Sequence, residues 1–160
     1  MIKRFFCSAF AVAVVMTFAG LSDAQTSRKS VSGAEVTGTF KMSFIGKKYK
    51  GMSNNLEIQA LGKGKLKIWF DLIYPYTMRN GEVSVNMGDL FDEASIEGDT
   101  AVYKSEDGRC TITMKFTRPG EVKISQDETE AGCGFGHNVS AAGTYKKASS
   151  AKPRFDRPEM

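Results

Sequence analysis

The sequence predicts an all-β domain: a single antiparallel meander of eight to nine strands closing into a small barrel with one disulfide. Three observations point there. Short segments alternate apolar and polar residues with the period of two that gives a strand one buried and one wet face. Turn signals built on Gly, Pro, Asn and Asp recur about every 8–12 residues. No apolar period of helical spacing runs for a useful length, the weak exception lying around Asp89–Ala94. A barrel is preferred to a sandwich or an open sheet because closure removes the edges that many strands would otherwise expose.

The elements follow in order. Val36, Gly38, Phe40, Met42 and Phe44 alternate with Thr37, Thr39, Lys41 and Ser43 as a first strand. A basic loop bracketed by Gly46 and Gly51 leads to a second strand marked by Leu56, Ile58 and Ala60. The third is the clearest, with Leu66, Ile68, Phe70 and Leu72 against Lys65, Lys67, Trp69 and Asp71, which puts the only Trp on the face opposite the aliphatic residues. Tyr74 to Gly81 is expected as a loop closed by Asn80-Gly81, a strong turn signal. Val83, Val85 and Met87 suggest a fourth strand, and 94–97 and 101–104 two short strands joined at Gly98-Asp99.

Three extended segments then fill Cys110 to Tyr145. Cys110, Ile112, Met114 and Phe116 alternate with Thr111, Thr113, Lys115 and Thr117; after the turn at Arg118-Pro119-Gly120, Val122, Ile124 and Gln126 alternate with Lys123, Ser125 and Asp127. The third is expected to carry Phe135, His137, Val139, Ala141, Gly143 and Tyr145 on one side.

The domain organisation follows from the ends. Residues 1–24 read as a secretory signal: Lys3 and Arg4 give a basic start, Phe5 to Phe18 an apolar run, and Ser22-Asp23-Ala24 small residues at the cleavage positions. That run is too short for a membrane span. Residues 25–33 are expected as a flexible lead-in, 34–146 as the barrel, and 147–160 as a basic polar tail. Export means periplasmic or secreted, and cleavage also removes Cys7, leaving Cys110 and Cys133. An even pair in an oxidising compartment reads as one disulfide, and it would close this end of the sheet.

Composition narrows the function. The formal net charge is +4; loss of Lys3, Arg4 and Asp23 makes it +3. Basic residues cluster at 47–50, 63–67 and 146–157 and acidic ones at 89–99 and 127–130, a mixture unlike the sustained basic face of a nucleic-acid protein. No nucleic-acid partner is expected. Gly132-Cys133-Gly134-Phe135-Gly136 lacks the following helix that a phosphate loop needs; it reads as backbone relief around a disulfide. His137 is the only histidine, and no zinc ligand set or nucleophile elbow accompanies it. Asp89, Asp92, Glu93, Glu97 and Asp99 do not match the calcium-loop spacing and read as a solvated acidic loop. No cofactor or metal is expected, and no enzyme. Asn138-Val139-Ser140 is a formal glycosylation acceptor. Trp69 with Tyr74 and Tyr76 is the most suggestive contact feature, and Phe135 and His137 complete the candidate interaction surface.

The run Cys110 to Phe116, then Val122 to Gln126, then Cys133-Gly134-Phe135-Gly136-His137-Asn138-Val139, closing with Gly143-Thr144-Tyr145-Lys146, resembles a recurring module of exported bacterial proteins. It looks like the β-rich domain of lysozyme-inhibitor-like periplasmic proteins, whose small antiparallel barrels carry a stapling disulfide. The likeness covers about the last third of the mature chain, residues 110–146. Opening on Gly38-Thr39-Phe40 and closing on Gly143-Thr144-Tyr145 is similar to lipocalin-like, or calycin, barrels, whose first and last strands pair. No inhibitory loop motif maps residue by residue, so lysozyme as a partner is implied by the resemblance alone. The net positive charge works against docking on a basic lysozyme.

The expected function is therefore a non-enzymatic exported binding protein engaging a protein partner at the cell envelope. The alternative is a carrier of a small apolar ligand lined by Phe40, Met42, Phe44, Phe70, Met114 and Phe116. Eight strands leave an interior only just wide enough for side chains, so large aromatics tend to fill it.

Overall fold

The structure, a computed structural model, describes residues 30–127 and 132–155. The expected signal, residues 1–24, and most of the lead-in lie outside the described residues. Eight antiparallel strands close into a barrel in sequence order: β1 (Gly38–Ser43), β2 (Ser53–Gly62), β3 (Lys65–Thr77), β4 (Val83–Glu97), β5 (Thr100–Lys104), β6 (Thr111–Arg118), β7 (Glu121–Asp127) and β8 (Gly143–Ser149). The first and last strands pair, Phe40 opposite Lys147 and Lys41 opposite Lys146. The inward positions fill the interior: Phe40, Leu56, Ile58, Ile68, Phe70, Leu72, Ile112, Met114 and Tyr145 are all fully inaccessible. Phe40 and Phe116 meet edge to face at 6.3 Å between ring centroids, one of the favourable aromatic geometries.

Five expectations change. The first strand starts at Gly38, not Val36, because Gly33–Val36 forms one helical turn, α1. Ser32 caps it by accepting a hydrogen bond from the Glu35 amide at 3.2 Å, and the Ser-x-x-Glu spacing is that of a capping box.

Tyr74 to Thr77 is strand, not loop. β3 pairs with β2 only as far as Asp71 and with β4 as far as Thr77, so its distal part is a two-stranded ribbon rising past the barrel. The amide of Ile73 points toward β2, donating to Asn54 Oδ1 at 2.8 Å. Pro75, two residues on, therefore turns its missing donor to the same side, where β2 has ended. A proline is tolerated at such an edge position.

The acidic stretch around Asp89 is also strand: residues 83–97 form one fifteen-residue element. Its alternation is hidden because two inward positions are not apolar. Gly88 stands opposite Leu72 and Asp92 opposite Ile68. Burial, with the Asp92 carboxylate nearby, pushes the Tyr103 hydroxyl up from its ordinary value. The two residues lie where the backbone pairing of β4 and β5, confined to Ser95–Glu97 against Thr100–Val102, has stopped.

The third C-terminal segment is not a continuous strand. Residues 132–142 form turns and irregular chain, and β8 begins only at Gly143. Phe135, Val139 and Ala141 are buried as the pattern suggests, while His137 is exposed. Three amide side chains replace a strand ladder. Asn86 donates to the His137 carbonyl at 2.7 Å, Gln126 accepts from the Ala141 amide at 2.9 Å, and Asn54 donates to the Ser140 carbonyl at 3.5 Å. Tyr145 donates to the Ala141 carbonyl at 3.0 Å.

Lastly, β8 runs to Ser149, three residues past the boundary drawn at 146, and the chain beyond it packs on the barrel wall, with Pro153 buried.

Cys110 and Cys133 are bonded, with Cα atoms 4.7 Å apart. The bond ties the start of β6 to the 132–142 segment, which crosses the cleft between β4 and β5. Two glycines allow the crossing: a Cβ on Gly136 would sit 2.5 Å from the Met87 carbonyl oxygen, and one on Gly88 3.0 Å from Phe135. The turn feeding Cys110 is held by Asp107, whose carboxylate accepts from the Arg109 amide at 3.0 Å, from Ser105 Oγ at 2.7 Å and from Arg109 Nε at 2.6 Å. These contacts, the Arg109 amide first, lower its carboxyl to about 2.

Candidate binding surface

Register decides which candidate residues can act together. Trp69 has the outward parity of β3, whereas Tyr74 and Tyr76 have the inward parity of Phe70 and Leu72 and stand on the other face of the same strand. The cluster of Trp69 with both tyrosines expected from proximity in sequence does not form. Tyr74 is opposite Asn86 and Tyr76 opposite Ser84, beyond the barrel mouth, where both are more than a third exposed. His137 joins that end of the molecule through its carbonyl contact with Asn86. Phe135 does not belong to a surface: only 7% exposed, it lies against Gly88 as a plug under the crossing segment.

Trp69 instead belongs to an outer patch that register assembles from three strands. Its cross-strand neighbours are Glu57 on β2 and Phe91 on β4; the adjacent rows are Asn55, Asp71 and Asp89 on one side and Gln59, Lys67 and Glu93 on the other. Phe91 is 50% exposed and Met87, four residues away on the same face, 65%. Phe155, from the chain after β8, packs against Phe91 with centroids 5.4 Å apart. The Lys67 ammonium sits 4.7 Å from the Phe91 centroid and 5.4 Å from that of Phe155, within cation–π range. A hollow of about 210 Å³ opens between Trp69, Asp89, Phe91 and Phe155. A second, of about 200 Å³, lies on the β1–β2 side of Trp69, with Lys41, Glu57 and Asp71 in its wall.

The chemistry of this patch is that of contact: stacked rings for apolar area and a rim of carboxylates, Glu57, Asp71, Asp89 and Glu93, for orientation. Glu93 is engaged by Lys65 at 3.0 Å, an exposed pair of small energetic weight. Among the described residues no three His, Cys, Asp or Glu side chains group as a metal site; the acidic residues of β4 are spread along a strand. Residues that sequence reading missed are Phe91, Met87 and Phe155. The first two required the β3–β4 register, and the third a contact between chain segments far apart in sequence.

Fold and surface together define a small closed antiparallel β-barrel with a packed interior and one disulfide. No helix among the described residues is long and apolar enough to cross a membrane. Comparison with family models, curated proteins and solved structures gives no match for the chain.

Proposed function

We propose that the chain is an exported, non-enzymatic binding protein of the cell envelope, which engages a protein partner through the outer face of β2, β3 and β4. The observation that carries the reading is the patch of exposed Phe91 and Met87 beside half-buried Trp69, large apolar side chains on the outside of a barrel whose interior is already filled. Export is supported by the basic-then-apolar pattern of residues 1–24 and by the disulfide. The packed interior favours this reading over that of a small-ligand carrier.

The partner that the sequence resemblance suggests is a lysozyme. The net charge of +4 argues against a basic partner, but local charge governs the encounter of two patches. Around Trp69 and Phe91 the rim is mixed: Glu57, Asp71, Asp89 and Glu93 are the groups that would face a basic partner, beside Lys41, Lys65 and Lys67 and, next to Phe155, Lys152 and Arg154. A basic lysozyme mixed with the oxidised protein is expected to lose its activity on bacterial cell walls and to co-elute in gel filtration. Phe91→Asp, at a half-exposed position, is expected to weaken that complex by at least about 30-fold, since a central aromatic anchor is worth 2 kcal/mol or more, and to lower the melting temperature by only a few degrees. Full lysozyme activity and separate elution would remove lysozyme as the partner. Tight binding unaffected by Phe91→Asp would remove this face as the contact surface.

A further inference from the structure

A different surface of the molecule combines features that the outer patch does not need. At the end of the barrel where β3 and β4 rise past their neighbours, two projections adjoin. One is the connection from Phe44 to Met52, closed by the Phe44 amide donating to the Met52 carbonyl at 3.2 Å and containing a 3₁₀ turn at Lys47–Tyr49. The other is the hairpin tip, where the Met78 amide donates to the Glu82 carbonyl at 2.8 Å. The Tyr49 hydroxyl lies 3.4 Å from Thr77 Oγ1, so the two stand side by side. Their outermost apolar side chains are bare: Ile45 is 96% exposed and Met78 37%, with Tyr74 and Tyr76 just behind. Lys47, Lys48, Lys50 and Arg79 surround them and are exposed, and none of the four makes an ion pair among the described residues. The only acidic residue in either connection is Glu82, held by Asn80 at 2.8 Å.

We propose that this rim docks the protein on an anionic lipid bilayer, a peripheral attachment that goes beyond the protein-binding reading and uses a different face. A β-branched residue left almost wholly in water at a loop apex has no role in the core. Flanked by four cations, Ile45 and Met78 match the requirements of an interfacial anchor: shallow insertion of apolar side chains, and basic side chains at the depth of lipid phosphates. Tyr74 and Tyr76 stand at the height where amphipathic rings meet headgroups. The other side of the same end, with Glu106 and Asp107 in the β5–β6 turn, is unsuited to that contact, so the barrel sits tilted, the β1–β2 and β3–β4 connections downward. Anionic lipid is favoured over a soluble polyanion because charge alone would not need Ile45.

The test is co-sedimentation with vesicles. A chain beginning at Gln25 contains every strand of the closed barrel and serves as the protein. It is expected to sediment with phosphatidylcholine vesicles containing one-third phosphatidylglycerol, at roughly 0.1 M salt, and not with pure phosphatidylcholine. Replacing Lys47, Lys48 and Lys50 by Gln together is expected to lower the partition coefficient by roughly a hundredfold. Ile45→Asp is expected to lower it about tenfold. Both variants lie on an exposed connection and keep the fold. No sedimentation with the anionic vesicles overturns the proposal. So does equal sedimentation of Ile45→Asp and the unaltered chain, which would mean a charge-only attraction to any polyanion.

Discussion

Phe70→Ala is expected to cost about 3–5 kcal/mol of folding stability, and Trp69→Ala, one residue away, at most about 2 kcal/mol. Phe70 is fully buried among residues of several strands, and the closed sheet cannot collapse into the space its ring would leave. Trp69 is half-buried on the outer face and loses contacts chiefly with its cross-strand neighbours Glu57 and Phe91, each such pair being worth a fraction of a kcal/mol to about 1. For a domain of this size the first change should lower the melting temperature by roughly 10 °C or more, the second by about half of that or less. Thermal unfolding followed by circular dichroism checks both. A reversed order would mean that β3 faces the other way, and with it the outer patch would fall.

Cys110→Ser is expected to destabilise the oxidised protein by about 3 kcal/mol. The bond closes a loop of 23 residues in sequence separation, and restricting the unfolded chain over that length accounts for an effect of about this size. The local consequence is more specific than the global one. The 132–142 segment is fastened by the disulfide, by three amide side chains and by the Gly136 amide, which donates to the Met87 carbonyl at 3.2 Å. Without the bond, Gly136 and Val139 should exchange their amide hydrogens far faster, while β1 and β8, which join on the opposite side of the barrel, keep their protection. Equal melting temperatures for variant and unaltered protein would show that the bond restrains nothing.

The strands legible in the sequence are those with clean alternation and a filled inward row, β1, β2, the first half of β3, β6 and β7, together with the short β5. The two ends of β4, Val83–Met87 and 94–97, were legible, but its middle was not, because the exposed Asp92 stands at an inward position and Gly88 yields its space to Phe135. The 132–142 segment showed its buried residues but not its conformation, since its hydrogen bonds come from Asn54, Asn86 and Gln126, each on a different strand. The separation of Trp69 from Tyr74 and Tyr76 follows from parity alone, five and seven residues apart in one strand, once the strand is known to continue past Leu72. The partnership of Trp69 with Phe91 does not follow from sequence, because it depends on which residue of β4 the hairpin register brings opposite.

The disulfide and the filled interior together support the proposal that the protein works through its outer surface. Native mass spectrometry of the protein exported into an oxidising compartment, recorded before and after denaturation, tests it most directly. The expected result is a mass two hydrogens below that of the reduced chain, with nothing further bound. A companion species that leaves on denaturation would contradict it and turn the barrel into a carrier.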